Sequence, residues 1–247
     1  GKLVWAGARL SPQSFRVQND PSQLDESSDP LLGKVIGERY RVLRYLGQGG
    51  MGTVYLAEHI WIKRRVAIKT LNPAQASSAE LVARFHQEAC AAASIGNPHI
   101  VDVTDMGRLE SGAYYIVLEY LNGVDLACAV ARAGRLPISE VLHIGLQLCD
   151  ALGAVHAAGI VHRDLKPENL FLLERAGDPA FLKVLDFGIC KVLDAAPHAG
   201  RRVTASGVAI GTPQFMAPEQ VEARPDIDAR ADLYAVGANL FFALSGR

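Results

Sequence analysis

The chain has 247 residues, about half of them apolar, and a formal net charge of -1. That is enough for one large domain or two small lobes with cores of their own. A balance so near neutrality gives no support to nucleic-acid binding, which usually needs a strongly basic face. The cysteines, Cys90, Cys128, Cys149 and Cys190, are widely spaced and form no Cys-x-x-Cys pair. A disulfide framework or zinc site is therefore not expected, and a reducing cytoplasm fits best. The apolar segment Leu233 to Leu244 is too short to span a bilayer and carries Asn239, and no signal-peptide pattern is read. Because the first residue is Gly rather than Met, the chain reads as an excerpt at that end.

In chain order, residues 1–35 read as an irregular tail, with Ser11-Pro12-Gln13-Ser14 and Asn19-Asp20-Pro21-Ser22 as turns and an acidic, polar run from Asp25 to Pro30. Structure is expected from Ile36. Tyr40 to Leu46 mixes β-formers with charge and reads as a strand. Gly47-Gln48-Gly49-Gly50-Met51-Gly52 follows, then a second strand from Thr53 to Ala57. Glycines let a backbone close over phosphate oxygens and offer them amide donors. Alone the pattern is weak. A dinucleotide-binding fingerprint should lead into a helix, whereas Thr53-Val54-Tyr55-Leu56 favours a strand, so a hairpin is predicted; a plain glycine-rich turn is the plainer alternative. Lys63-Arg64-Arg65 reads as a solvated turn. In Val66-Ala67-Ile68-Lys69, alternation puts Ala67 and Lys69 on one face. A lysine ending an apolar strand is usually just exposed, unless a carboxylate awaits it. Ser77-x-x-Glu80 has the form of a capping box, and the helix after it should run to about Ser94. Leu81, Phe85, Glu88 and Ala92 share one face, which places Glu88 on an apolar stripe. A buried carboxylate is costly unless paired, and Lys69 is the obvious partner; otherwise Glu88 would snorkel at the edge of the stripe. Ile100 to Val103 and Tyr114 to Tyr120 complete a five-stranded antiparallel reading, which Leu121-Asn122-Gly123 breaks.

A second long helix is predicted from Pro137 to about Ala158, stopped by Gly159, with Val141, Leu142, Leu148, Leu152 and Val155 marking its buried face. His143 and His156 read as satisfied or exposed histidines, not ligands. Next comes His162-Arg163-Asp164-Leu165-Lys166-Pro167-Glu168-Asn169, a polar loop held between apolar flanks, with Asp186-Phe187-Gly188 shortly after it. Loops presented from a rigid base in this way often carry function. Asp164 can take a proton from a hydroxyl, Lys166 can neutralise a phosphate, and Asn169 with Asp186 can hold Mg²⁺ through hard oxygen ligands. Those are the parts phosphoryl transfer needs. Glu174 to Pro179 reads as a turn between short strands. Lys191 to Gln214 is hydrophilic, and Met216-Ala217-Pro218-Glu219 closes it. Asp232 opens a strongly apolar helix that runs towards Arg247.

These motifs resemble those of the bacterial eukaryotic-like serine/threonine protein kinases, with the resemblance starting at about Ile36. It implies an α+β, two-lobed protein-kinase-like fold. The small lobe, about 36–120, is an antiparallel β lobe with one main helix; the large lobe, about 121–247, is mainly helical with its last helices missing. ATP would be bound by Leu46, Gly47, Gln48, Gly49, Gly50, Met51, Gly52, Thr53 and Val54, and by Ala67, Lys69, Glu88, Leu118 at the back of the pocket and Asp125 at the ribose. Asp125 could equally cap the helix after it. The resemblance makes Asp164, Lys166 and Asn169 catalytic, gives Mg²⁺ (or Mn²⁺) to Asn169 and Asp186, and makes His162, Phe187 and Asp232 supports beneath the loop. A lysine at position 166 is similar to serine/threonine rather than tyrosine kinases. Arg163 beside Asp164 implies control by a phosphate on the later loop, with Thr204 and Ser206 as candidates; Thr212 would instead contact Asp164 and Lys166. Protein substrates and self-association for autophosphorylation follow. An ATP-binding scaffold without activity, or an inactive fragment, are the alternatives.

Overall fold

The computed structural model describes residues 29–49, 52–72, 78–186 and 213–247. Val35–Ile36 (β1), Tyr40–Gly49 (β2), Gly52–His59 (β3), Arg65–Leu71 (β4), Val103–Arg108 (β5) and Tyr114–Glu119 (β6) form an antiparallel sheet in the order β1-β2-β3-β4-β6-β5. The expected five strands are therefore joined by a short sixth, β1, at the edge. The tail reading also ends earlier than expected. Asp29 accepts hydrogen bonds from the Leu31 amide at 2.9 Å and the Tyr55 hydroxyl at 2.8 Å, and Leu31 and Leu32 pack on the sheet's core.

Alternation divides β4 as predicted. Val66 and Ile68 point into a core with Tyr40, Val42, Tyr55 and Val117, and Lys69 faces the other way. On that side lies α1, Ala79–Ile95. Its N-cap is Ser78, whose hydroxyl accepts from the Leu81 amide at 3.4 Å, one residue later than the Ser77 box predicted; Ser77 lies outside the described residues. Gly96, at φ +60, ends the helix in the left-handed region that glycine enters without strain. Phe85 is fully buried against Leu71, Ala89 and Ile116, worth about 2 kcal/mol of burial.

Ile100 does not begin β5. It makes an isolated parallel bridge to Val184, so the segment between α1 and β5 joins a second sheet. That sheet holds Gly123–Asp125 (β7), Leu170–Arg175 (β8) and Asp178–Val184 (β9), in the order β7-β8-β9. The turn expected from Glu174 to Pro179 is shorter than that: β8 runs through Arg175 and β9 starts at Asp178, which leaves Ala176-Gly177 between them. Against this sheet pack α2 (Leu126–Ala133) and α3 (Ile138–Ala157); α5 (Ala229–Ser245) packs on α3, and the short α4 (Pro218–Val221) precedes it. Their core includes Leu126, Ile144, Leu148, Leu152, Leu170 and Leu182. Leu142, expected on the buried face of α3, is 62% exposed. The helix carries two apolar stripes, and Leu142 belongs with Ile138 and Leu146 on the outer one. By length and composition α3 would also pass as a bilayer-spanning helix, a property that a core helix shares. Among the described residues, Cys90, Cys128 and Cys149 are free thiols.

Candidate active site

The strand β4 and the helix α1 deliver Lys69 and Glu88 to one point, and the chain leaving β9 brings Asp186 to it. Lys69 Nζ donates to Glu88 Oε1 at 2.9 Å and to Asp186 Oδ1 at 2.7 Å. The Lys69 and Glu88 side chains are only 10% and 9% exposed, whereas Asp186 is half-exposed. Burial alone would pull the Lys69 ammonium down, but the Asp186 and Glu88 carboxylates outweigh it and shift it upward. Burial pushes the Glu88 carboxyl up, against the pull of Lys69. Burial acts in the same sense on Asp186, but there the Lys69 ammonium wins and holds the carboxyl below its ordinary range. Asp186 therefore stays an anion beside a permanent cation. Apolar residues, among them Ala89, Val103, Ile116 and Leu118, line a cavity beside the triad.

The glycine-rich turn joins β2 to β3, with Gly49 paired to Gly52; Gly50 and Met51 lie outside the described residues. Gly52 has a steric reason to be glycine. A Cβ there would lie 1.7 Å from the Thr70 carbonyl oxygen, so the close approach of β3 to β4 excludes any side chain. Leu46, Gln48, Thr53 and Val54 flank the turn on β2 and β3, with buried Gly47 pairing to Val54. Ala67 pairs with Leu118 across β4 and β6. Asp125 caps α2, its Oδ1 accepting from the Cys128 amide at 2.7 Å, which is the alternative reading of that residue.

The polar loop between α3 and β8 is fixed from beneath. Asp232, on α5 and 1% exposed, accepts three hydrogen bonds. They come from the His162 amide at 2.9 Å, the Arg163 amide at 2.8 Å and His156 Nε2 at 2.8 Å. His156 is thus a satisfied histidine, and so is His143, 2.9 Å from Asp178. His162 is fully buried. Its Nε2 lies 3.1 Å from the Leu185 carbonyl oxygen and its Nδ1 accepts from the Asp164 amide at 3.3 Å. Only a neutral ring with hydrogen on Nε2 satisfies both bonds, and burial pushes the His162 pKa down despite the carboxylate of Asp232.

The sign of the resulting pH dependence follows. With a folded pKa below the unfolded value of about 6.5, the unfolded chain takes up the proton first as pH falls. The neutral ring's contribution is fully present above about 6.5 and is lost as pH falls from there toward the depressed value. Thermal melts from pH 8 to 5.5 should show the midpoint dropping in the lower half of that range. His162→Phe should flatten the drop, and equal slopes in both proteins would refute this role.

At the top of the loop, Asn169 ends a 3₁₀ turn, Pro167–Asn169. Its Nδ2 donates to the Asp164 carbonyl at 2.8 Å, and its own carbonyl accepts from the Leu185 amide at 2.8 Å. Lys166 Nζ stands 3.6 Å from Asp164 Oδ2. Arg163 at φ +64 and Asp186 at φ +42 hold left-handed backbones without being glycine, a strain that collects at functional sites. Asp164, Lys166, Asn169 and Asp186 are thus brought to one loop cluster. Thr204, Ser206, Thr212 and Phe187 lie outside the described residues. The oxygens of Asn169 and Asp186 suit a hard cation such as Mg²⁺.

Two links had no forecast. Gln220 Nε2, on α4, donates to the Arg163 carbonyl at 2.9 Å. Lys183, buried on β9, forms an ion pair with Glu119. The available signal for the second was a lone charge between Leu182 and Val184 in an apolar strand.

The chain is similar to known proteins over most of its length. The protein kinase domain model matches residues 40–247. The serine/threonine-protein kinase Pkn1 of Myxococcus xanthus is 47% identical over 222 residues, which cover 90% of this chain and 31% of the relative. PrkC of Bacillus subtilis, also named a serine/threonine-protein kinase, is 40% identical over 218 residues, covering 88% of this chain and 32% of PrkC. The chain thus spans about a third of the length of these relatives. The crystal structure of the Mycobacterium tuberculosis PknI kinase domain aligns with a TM-score of 0.66 and 32% identity, over 88% of this chain and 78% of that one.

Proposed function

We propose, from the premise that this chain belongs to the protein kinase family, that residues 36–247 act as a two-lobed serine/threonine kinase domain. The reaction is transfer of the γ-phosphoryl group of ATP to a serine or threonine hydroxyl of a protein. The observation that carries this reading is the Lys69–Glu88–Asp186 triad beside a loop that holds Asp164, Lys166 and Asn169 together. A cytoplasmic site of action follows from the supply of ATP and from the free thiols.

Each residue has a defined task. Asp164 accepts the proton of the attacking hydroxyl. Lys166, close to that carboxylate, sets a positive charge where the transferring group would pass. Lys69, kept protonated by its two carboxylates, faces the phosphates. Asn169 commits its amide nitrogen to the Asp164 backbone, which leaves its oxygen, with the Asp186 carboxylate, as the group that would hold Mg²⁺ or Mn²⁺. Such an ion, when bound, neutralises phosphate charge. The amides on either side of the turn, from Leu46 to Gly49 and from Gly52 to Val54, are available to the phosphates, and Leu118 and Ala67 border the base.

Control by phosphorylation is part of the proposal. Arg163 Nε is buried with no hydrogen-bond partner among the described residues, and the guanidinium reaches only the Ile227 carbonyl, at 3.4 Å. A buried donor left unmade is costly, and a phosphate on Thr204 or Ser206 would supply the acceptor.

The test is incubation of the purified chain with labelled ATP and Mg²⁺, with phosphosites mapped. Label on Thr204 or Ser206 is expected. Asp164→Asn should remove it, at a loss of roughly 10²–10⁴-fold. The pair Thr204→Ala and Ser206→Ala should sharply lower transfer to an added protein substrate, and unchanged transfer would sink the regulatory part. A chain that melts cooperatively and binds ATP yet transfers nothing would be the inactive scaffold instead.

A further inference from the structure

A second ion pair crosses between the two sheets, and nothing in the reaction described above uses it. Lys183 lies on β9, three residues before Asp186. Its side chain is 6% exposed, and its ammonium pairs with Glu119, the last residue of β6. The same ammonium donates to the Ile100 carbonyl at 2.9 Å. Glu119 in turn grips the connector between α1 and β5: its Oε1 accepts from the Asp102 amide at 2.9 Å, and its own amide donates to the Asp102 carbonyl at 3.0 Å. One buried lysine thereby ties together β9, the end of β6 and the segment holding Ile100 and Asp102. Taking an ammonium out of water is costly, and apolar residues at these positions would be at least as stable. What the pair fixes is geometry.

That geometry has a direction. Glu119 immediately precedes residues 120–122, the only link by which β6 passes into β7. On the proposed reading Leu118 borders the base, so this link, which starts two residues later, lies next to the adenine. Across β4 and β6, Val66 pairs with Glu119 and Lys69 with Ile116. Lys183 and Asp186 therefore engage the same six-stranded sheet at two points, one at the strand end beside the link and one at the phosphate side.

We propose that the Lys183–Glu119 pair is a positioning element that sets the height of the 120–122 link over β9, and so governs nucleotide affinity rather than the phosphoryl-transfer step. This rests on the kinase reading above. Lys183 touches neither Asp164 nor Asp186 in any hydrogen bond or ion pair among the described residues, so its effect is routed through the link.

The experiment compares the wild-type chain with Lys183→Met, Glu119→Gln, the double variant and Lys183→Arg. It measures KM for ATP, kcat, affinity for a non-hydrolysable ATP analogue, and hydrogen exchange at the amides of residues 102 and 119–122. Lys183→Met should raise KM and weaken analogue binding by roughly tenfold, with kcat changed by less than about twofold. Lys183→Arg should recover most of the affinity. The double variant should be no worse than either single one, because the two side chains act as a unit. A fall in kcat at unchanged KM, or additive losses in the double variant, would overturn the proposal. If Lys183→Met does not fold, Lys183→Gln keeps a donor for Ile100 and is judged by the same criteria. If the wild-type chain neither binds ATP nor transfers phosphate, the kinase reading is what fails. The pair is then judged by exchange alone: faster exchange at residues 119–122 in the variant supports it, and unchanged exchange overturns it.

Discussion

Lys69→Met is expected to lower phosphoryl transfer by roughly 10²–10³-fold, the usual loss when one charged donor is removed from a preorganised site. The chain should still fold, but with a lowered melting midpoint. The reason is the asymmetry of the triad. Asp186 is half-exposed and can turn to water when its cation goes. Glu88 is 9% exposed and loses the ammonium that offsets its burial. Its carboxyl, already pushed up by desolvation, would be pushed up further. A cost of about 1–3 kcal/mol follows. A second substitution separates stability from chemistry. In Lys69→Met with Glu88→Leu, no buried charge remains on α1, and well-packed apolar groups often replace a buried ion pair without loss. That double variant should regain most of the melting midpoint and none of the activity. Recovery of activity along with stability would mean that Lys69 acts only as a strut. A rate within twofold of wild type in Lys69→Met alone would remove the lysine from the mechanism.

The pairing behind that prediction was legible because both of its halves are periodic. A two-residue repeat on β4 and a 3.6-residue repeat on α1 each assign a face, and Lys69 and Glu88 were the polar residues on faces that had to meet. Periodicity was a poorer guide on α3. Two apolar stripes compete there, and Leu142 was assigned to the wrong one. It was silent where contacts join segments far apart in the chain. The Lys183–Glu119 pair spans 64 positions and the Gln220–Arg163 bond 57, and no local pattern at either end names the partner. The docking of Asp29 on Tyr55 was hidden for another reason, since an acidic, turn-rich run has the composition of a loose tail. At the loop around Asp164, residue chemistry supplied the proton acceptor, the lysine and the cation ligands. The supports beneath them were reached only through the family resemblance.

Asp232 shows how much those supports carry. Asp232→Ala should cost about 3 kcal/mol of stability, since the buried His162 amide and the Arg163 amide both lose their acceptor and each orphaned donor costs about 1–3 kcal/mol. The effect on rate should exceed what stability alone predicts. Those two amides immediately precede Asp164, and Arg163 is held at φ +64. Without Asp232 only the Gln220 bond to the Arg163 carbonyl still favours that left-handed backbone, and it should relax toward negative φ. A misplacement of about 1 Å at Asp164 is enough to lower kcat by roughly 10²-fold. Asp232→Asn is the graded control. Its one carbonyl oxygen can serve either amide, but its NH₂ group then faces the other donor, so it should fall between wild type and Ala in both melting midpoint and kcat. KM for ATP should move little in either variant, because Lys69 and the glycine-rich turn do not touch Asp232. Measured at a temperature where all three proteins are fully folded, an Ala variant with wild-type kcat would show that the loop holds its shape without the anchor. A parallel loss of ATP affinity would show that the anchor reaches beyond the loop.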